Sequence, residues 1–148
     1  MIPVQLTIKG IYSYQKEQTI DFNQLIEGQV FGIFGAVGSG KSTILEAISF
    51  ALYGETERLN QRDNRNYNMM NLKSNDLLID FIFKAGKDEK EYRFVVTGKR
   101  NSKTFEDVKT FQRKAYELKN ETWEPLEKTT AEDILGLSYQ NFRRTIII

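Results

Sequence analysis

The run Gly35-Ala36-Val37-Gly38-Ser39-Gly40-Lys41-Ser42 constrains this chain more than any other stretch, because it has the glycine and lysine spacing of a Walker A phosphate loop. Gly38 and Gly40 let the backbone bend so that successive N–H groups face the inside of the turn. Both flanks suit that geometry. Before the loop, Val30-Phe31-Gly32-Ile33-Phe34 is apolar on both faces and reads as a strand buried within a sheet. After it, Ile44, Leu45, Ile48, Ala51 and Leu52 recur at helical spacing from Lys41 to Tyr53, and Gly54 supplies the stop. Strand, glycine loop and helix in that order make an anion site, since backbone amides and the positive end of the helix converge there.

The chemistry assigns a part to each residue. The amides of Gly35, Ala36, Val37, Gly38, Ser39 and Gly40 cradle the β-phosphate of a nucleoside triphosphate, expected to be ATP. Lys41 reaches the β and γ oxygens as a flexible point charge, Ser42 offers a hydroxyl to Mg²⁺, and Thr43 bonds an α-phosphate oxygen. The competing reading is a glycine-rich turn before an ordinary helix. With glycine at about 7% of average usage, a chance match to this pattern is rare.

Binding alone is not hydrolysis, which also needs a carboxylate for the metal and a group that positions the attacking water. Leu77-Leu78-Ile79-Asp80 invites a Walker B reading, but Phe81-Ile82-Phe83 carries the strand on past the aspartate. Asp80 therefore reads as the outward position of a hairpin strand, and no catalytic residue is assigned.

Elsewhere the periodicity is mostly that of strands. Val4, Leu6 and Ile8 alternate with polar residues, as do Ile20 and Phe22, giving an antiparallel pair across a polar loop from Gly10 to Lys16. The stretch from Glu55 to Asn75 is polar, rich in Asn and Arg, and reads as an exposed loop. Leu77 to Lys84 and Lys90 to Gly98 form a hairpin across residues 85–89, and a second hairpin runs from Val108 to Leu118, turns at 119–121 and returns through Leu126. Thr130 with Asp133 resembles a capping box for a short helix that Gly136 ends, and Ser138 caps another through Arg144. Thr145-Ile146-Ile147-Ile148 reads as a buried strand. An apolar β-branched run with nothing after it suggests a chain cut from a longer one.

Composition bounds the rest. The 148 residues, 40% of them hydrophobic, suit one domain. The chain has no cysteine and no histidine, so disulfides, thiolate metal sites and a histidine base are excluded. The start, Met1-Ile2-Pro3-Val4-Gln5, has neither the basic region nor the apolar stretch of a signal peptide, and no run is long enough to span a membrane, so a soluble cytoplasmic location is expected. A formal net charge of +1 gives no global reason to expect nucleic acid.

Taken together, these pieces resemble the N-terminal ATPase segment of the SbcC family, the SMC-like, ABC-class ATPase subunits of DNA-end-processing exonucleases. The resemblance covers essentially the whole chain, residues 1–148. It runs from Leu6 to Phe22, with Tyr12-Ser13-Tyr14 and Ile20-Asp21-Phe22, through the loop into Leu45-Glu46-Ala47-Ile48 and Ala51-Leu52-Tyr53-Gly54, and ends at Gly136-Leu137-Ser138-Tyr139-Gln140-Asn141-Phe142. Ala36-Val37 stands where the wider class often has Pro-Asn.

The resemblance implies an α/β P-loop NTPase fold, an ABC/SMC-type head lobe with a mixed sheet, an antiparallel N-terminal meander and a β-hairpin insert. It also implies that 1–148 is the N-terminal lobe of a split ATPase head, lying before the Q-loop glutamine and the coiled coil. Implied partners are the C-terminal lobe of the same parent chain, a second head in an ATP-dependent dimer, an SbcD-type nuclease and double-stranded DNA in double-strand break repair, with no membrane. The lobe alone would bind Mg-ATP without turning it over.

Weaker candidates follow. Lys9 and the loop at Ser13 and Tyr14 correspond to a loop that approaches the nucleotide in similar heads; a solvated strand end and a tyrosine packed on a hairpin are the plainer alternative. Arg58, Arg62 and Arg65 suit contacts with a phosphate backbone, although Glu57 and Asp63 dilute them and a solvated loop is the alternative. Lys99, Arg100 and Lys103 read as solubilising turn charges, and Trp123, Phe81, Phe83 and Phe94 as core or sheet-face residues. A small-molecule P-loop kinase, a transporter-type ABC ATPase and a nucleotide-independent module stand as rival functions. The kinase would require alternating strands and helices after the loop.

Overall fold

The computed structural model describes residues 1–25, 32–56, 69–101, 103–104 and 106–146, with 145 and 146 described by their backbone alone. Six strands, β1 (Ile2–Lys9), β2 (Gln18–Asp21), β3 (Asp76–Ala85), β4 (Lys90–Lys99), β5 (Gln112–Lys119) and β6 (Thr122–Pro125), form one sheet in the order β2-β1-β3-β4-β5-β6. Every neighbouring pair is antiparallel. Among the described residues three helices accompany them: α1 (Lys41–Tyr53), α2 (Glu132–Leu135) and α3 (Tyr139–Ile146).

The strands form where alternation is cleanest. In β3 the buried positions are Leu77, Ile79, Phe81, Phe83 and Ala85, every second residue, so one face must meet an apolar layer. The hairpin turns supply the left-handed backbone that their twist demands. Between β3 and β4, Gly86 has φ 80° and Glu89 φ 47°; between β5 and β6, Asn120 and Glu121 both have positive φ, at 47° and 62°.

The core lies between that face and α1. Leu6, Ile8, Phe94, Val96 and Ala115 join the β3 row, while Ile44, Ala47, Ile48, Ala51 and Leu52 close it from the helix. Phe81, Phe83 and Phe94 are almost wholly buried, and each such ring contributes roughly 1.5–3 kcal/mol of transfer free energy. α3 locks onto the end of α1 through Tyr53, whose ring lies 5.0 Å from that of Phe142 and 5.8 Å from that of Tyr139. The Lys41 to Tyr53 helix, its Gly54 stop, the N-terminal pair and both hairpins all form where expected.

Five expectations about the secondary structure and its exposure need correction. The described part of the expected buried strand, 32–34, is irregular, with Phe34 93% and Ile33 40% exposed; Val30 and Phe31 lie outside the described residues. A central strand needs a hydrogen-bonding neighbour on each side, and among the described residues 32–34 pairs with no strand. For the same reason the sheet is antiparallel rather than mixed among the described residues. At the other end, 145 and 146 continue α3 instead of starting a strand, since a helix satisfies its amides internally and a lone strand does not.

The last two corrections are local. Asp133 forms an ion pair with Lys128 rather than closing a capping box; the N-cap of α2 is Ala131, with no side-chain cap, and Thr130 Oγ1 instead accepts the Glu132 amide at 3.4 Å. The polar stretch before β3 is not exposed throughout: Met69 and Met70 are buried, because Met70 bridges to Ile11 and carries its neighbour into the core.

Candidate phosphate-binding loop

Residues 35–40 run as a surface loop into the first turn of α1 and fold around the ammonium of their own lysine. Lys41 Nζ donates to the carbonyl of Gly35 at 2.5 Å and to that of Ala36 at 2.8 Å. The Ser39 amide closes the turn on the Ala36 carbonyl at 3.1 Å. Gly38 and Gly40 take φ of 84° and 90°, a region that side chains with a Cβ rarely enter, so these two glycines make the bend possible. An ammonium has three donors, and two are held by the loop. The third is suited to an anionic oxygen.

The helix that follows leaves its amino end open. Gly40 is the N-cap and brings no side-chain acceptor, and the first turn contains no acidic residue. Uncapped first-turn amides together with the helix dipole favour a bound anion. Ser42 is exposed in that same turn, so its hydroxyl is free to serve as one ligand of Mg²⁺, an ion that keeps most of its ligands as water and phosphate oxygen. Thr43 is buried and donates its amide to the Gly40 carbonyl at 3.1 Å.

A second segment meets the loop from the side. The turn at Ile11 to Tyr14 closes on itself, with the Tyr14 amide on the Ile11 carbonyl at 2.8 Å, and it rests against Gly40. A Cβ on Gly40 would fall 2.7 Å from both Ser13 Oγ and Tyr14 Cε2. Ser13 is thus beside the loop. Lys9 is not brought there by any hydrogen bond among the described residues; it stands opposite Leu78 in the β1–β3 ladder. Arg58, Arg62 and Arg65 lie outside the described residues.

Asp80 behaves as the alternation implied. Arg93 grips it with Nε at 2.9 Å and NH2 at 2.6 Å on the sheet face away from α1, and that hydrogen bonding raises the pKa of the guanidinium further. Arg100 is a correction, because it is buried rather than a solvated turn charge. Its Nε donates to the Ser74 carbonyl at 3.2 Å and its NH2 to that of Asn71 at 3.4 Å, which fixes the segment leading into β3.

Sequence reasoning missed the residues that seat the far end of α1. Arg113, from β5, donates to the Ala51 carbonyl at 2.9 Å, and the Ala131 amide donates to that of Leu52 at 2.8 Å. Burial lowers the pKa of Arg113, while the charge of Glu55 opposes the shift. The only local signal was a cation at an inward position of a strand, where register places Arg113 beside Val96.

Comparison with known proteins agrees with this architecture. The AAA domain family model matches residues 5–148. The SbcC component of the nuclease SbcCD from Clostridium acetobutylicum is 36% identical over 155 residues, covering 100% of this chain and 13% of that protein. Its counterpart in Bacillus subtilis is 36% identical over 154 residues, with the same coverage of 100% and 13%. In Deinococcus radiodurans the corresponding SbcCD nuclease component is 44% identical over 59 residues, 40% of this chain and 6% of that one. The chain therefore spans about an eighth of the length of the first two relatives, matching 13% of each. With a phosphate loop opening a helix against a sheet and a family match from residue 5 to residue 148, this chain belongs to the AAA domain family.

Proposed function

We propose that this chain is the ATP-binding lobe of an SMC-like head of the SbcC type, which gates access of DNA ends to a partner nuclease in double-strand break repair. The observation that carries the reading is the loop from Gly35 to Thr43, where a lysine, two left-handed glycines and an uncapped helix end converge. The family match over 5–148, and similarity along the whole of this chain to components of two SbcCD nucleases, support the choice among phosphate-loop proteins. The antiparallel hairpins after α1 speak against a small-molecule kinase, which would continue with alternating strands and helices.

In this reading the amides of residues 35–40 and the Lys41 ammonium bind the β- and γ-phosphates, Thr43 meets the α-phosphate, and Ser13 and Lys9 approach from the β1–β2 side. Ser42 holds Mg²⁺, which when bound neutralises charge between the phosphates. Residues 1–148 act as one lobe of a head. Exposed Ile33, Phe34 and Val37 suit a surface that the C-terminal lobe or a second head covers. Arg58, Arg62 and Arg65 contribute to a surface for double-stranded DNA, an SbcD-type nuclease is the partner, and the site of action is the cytoplasm. Among the described residues no helix is long and apolar enough to cross a membrane.

Titration calorimetry with Mg-ATP tests the central claim. Replacing Lys41 by Ala removes charge-assisted bonds to phosphate and is expected to weaken binding by about 100-fold or more. Equal affinity in wild type and Lys41→Ala would remove the phosphate loop from the account. The chain alone should bind without hydrolysing, and multiple turnovers by the purified chain would refute the need for a second lobe.

A further inference from the structure

We infer that the Tyr14 hydroxyl is a positioning group for phosphate binding, acting through the Gly40–Lys41 peptide plane; this rests on the phosphate-loop reading above. Tyr14 Oη donates to the Gly40 carbonyl at 3.4 Å, and the same carbonyl accepts the Thr43 amide at 3.1 Å. A peptide unit is planar and trans, so fixing the direction of a C=O fixes the opposite direction of the N–H across the bond. The N–H across this bond belongs to Lys41, the first helical residue. Two donors on the Gly40 oxygen therefore turn the Lys41 amide toward the side where the open helix end takes an anion.

The tyrosine is itself held in place. Its turn is pinned at three points: the Tyr12 amide donates to the Met69 carbonyl at 2.9 Å, Asn71 Nδ2 to the Tyr12 carbonyl at 2.5 Å, and the Asn71 amide to the Gly10 carbonyl at 2.9 Å. Gly10, with φ 66°, approaches so closely that a Cβ would stand 1.9 Å from the Asp76 carbonyl oxygen. The ring edge then fills the space against Gly40 that a side chain would occupy. A hydroxyl delivered by so constrained a turn orients the peptide before any ligand arrives, and preorganisation of that kind strengthens binding.

The test is Tyr14→Phe in the full chain, which keeps the ring and deletes only the hydroxyl. Affinities for Mg-ATP, ADP and inorganic pyrophosphate are measured by calorimetry, beside thermal melting and Lys41→Ala. Loss of one positioning hydrogen bond should weaken all three ligands by a similar factor, about 3- to 10-fold. The melting temperature should move by less than about 2 °C, since Tyr14 is only half buried. Unchanged affinities, with Lys41→Ala still disabling, would overturn the role of Tyr14 and leave the phosphate loop standing. A loss for ATP with pyrophosphate unaffected would place Tyr14 on the base instead and overturn the inference too. Failure of the wild type to bind any of the three would bring down both.

Discussion

The two ends of α1 are finished in opposite ways. At the carboxyl end the protein supplies partners for three of the last carbonyls: the Gly54 amide reaches Phe50 at 2.8 Å, Arg113 takes Ala51 at 2.9 Å and Ala131 takes Leu52 at 2.8 Å. At the amino end the N-cap is a glycine with no side-chain acceptor, and the loop before it is exposed. Helix termini leave orphan groups that something must satisfy. Where the caps are internal the end is structural; where they are withheld, the proposed function assigns the end to a ligand. Substitutions at the open end should therefore change binding more than stability, and those at the closed end the reverse.

Gly40→Ala should show the largest effect of this kind. A Cβ there meets Ser13 Oγ and Tyr14 Cε2 at 2.7 Å, and φ is 90°. Relief requires the loop to shift, which moves the Lys41 amide out of register with the phosphate. Mg-ATP affinity is expected to drop on the order of 100-fold, while the left-handed strain removes only about 1–2 kcal/mol of stability. A variant with intact affinity and reduced stability would make both ends structural and break the contrast.

Arg113→Met probes the closed end. Methionine keeps the apolar stem packed but leaves the Ala51 carbonyl without its donor, an omission worth about 1–3 kcal/mol. Part of that is offset, because Arg113 Nε is buried without a hydrogen-bond partner among the described residues and its desolvation is relieved on removal. Denaturant unfolding should show a loss near the lower bound, about 1 kcal/mol, with Mg-ATP affinity within about twofold of wild type. A stabilised variant would mean that desolvation outweighs the cap, and a loss of affinity would mean that the closed end governs the open one.

How far this contrast could be read from the sequence depends on distance along the chain. Lys41 to Gly54 declared itself through local periodicity and a terminal glycine, and the phosphate loop through spacing alone. The caps supplied by Arg113 and Ala131 come from 62 residues beyond Ala51 in one case and from before α2 in the other, and no window of sequence connects them to α1. Met69 and Met70 sit in text that reads as solvated, and only pairing with Ile11 buries them. Ile33 and Phe34 fail in the opposite sense: their pattern is that of a central strand, but the pattern states only that a residue should be covered and not which element covers it. The Tyr14 contact itself was not legible, since the resemblance implied only that its loop approaches a nucleotide and indicated no carbonyl for its hydroxyl.

The smallest effect concerns pH at the closed end. Tyr53 donates to the Leu137 carbonyl at 3.0 Å, joining α1 to the segment before α3, and its pKa is raised above 10.0 by burial first and by the charge of Glu132 second. An acid whose folded-state pKa exceeds its unfolded value contributes stability that is complete below the unfolded value. That contribution is lost as pH rises from 10.0 through the higher folded-state value, since ionisation is easier in the unfolded chain. Tyr53→Phe removes the hydroxyl and with it this alkaline component, at a loss of about 1 kcal/mol near neutral pH. The difference in unfolding free energy between wild type and variant should therefore be constant up to about pH 10 and shrink above it. Taking the difference cancels the titration of distant lysines and tyrosines. Since Tyr53 stands at the opposite end of α1 from the loop, Mg-ATP affinity at neutral pH should be the same in both proteins. Parallel stability curves at alkaline pH would show that Tyr53 is not held as the geometry indicates, and would leave the closed end fastened by Gly54, Arg113 and Ala131.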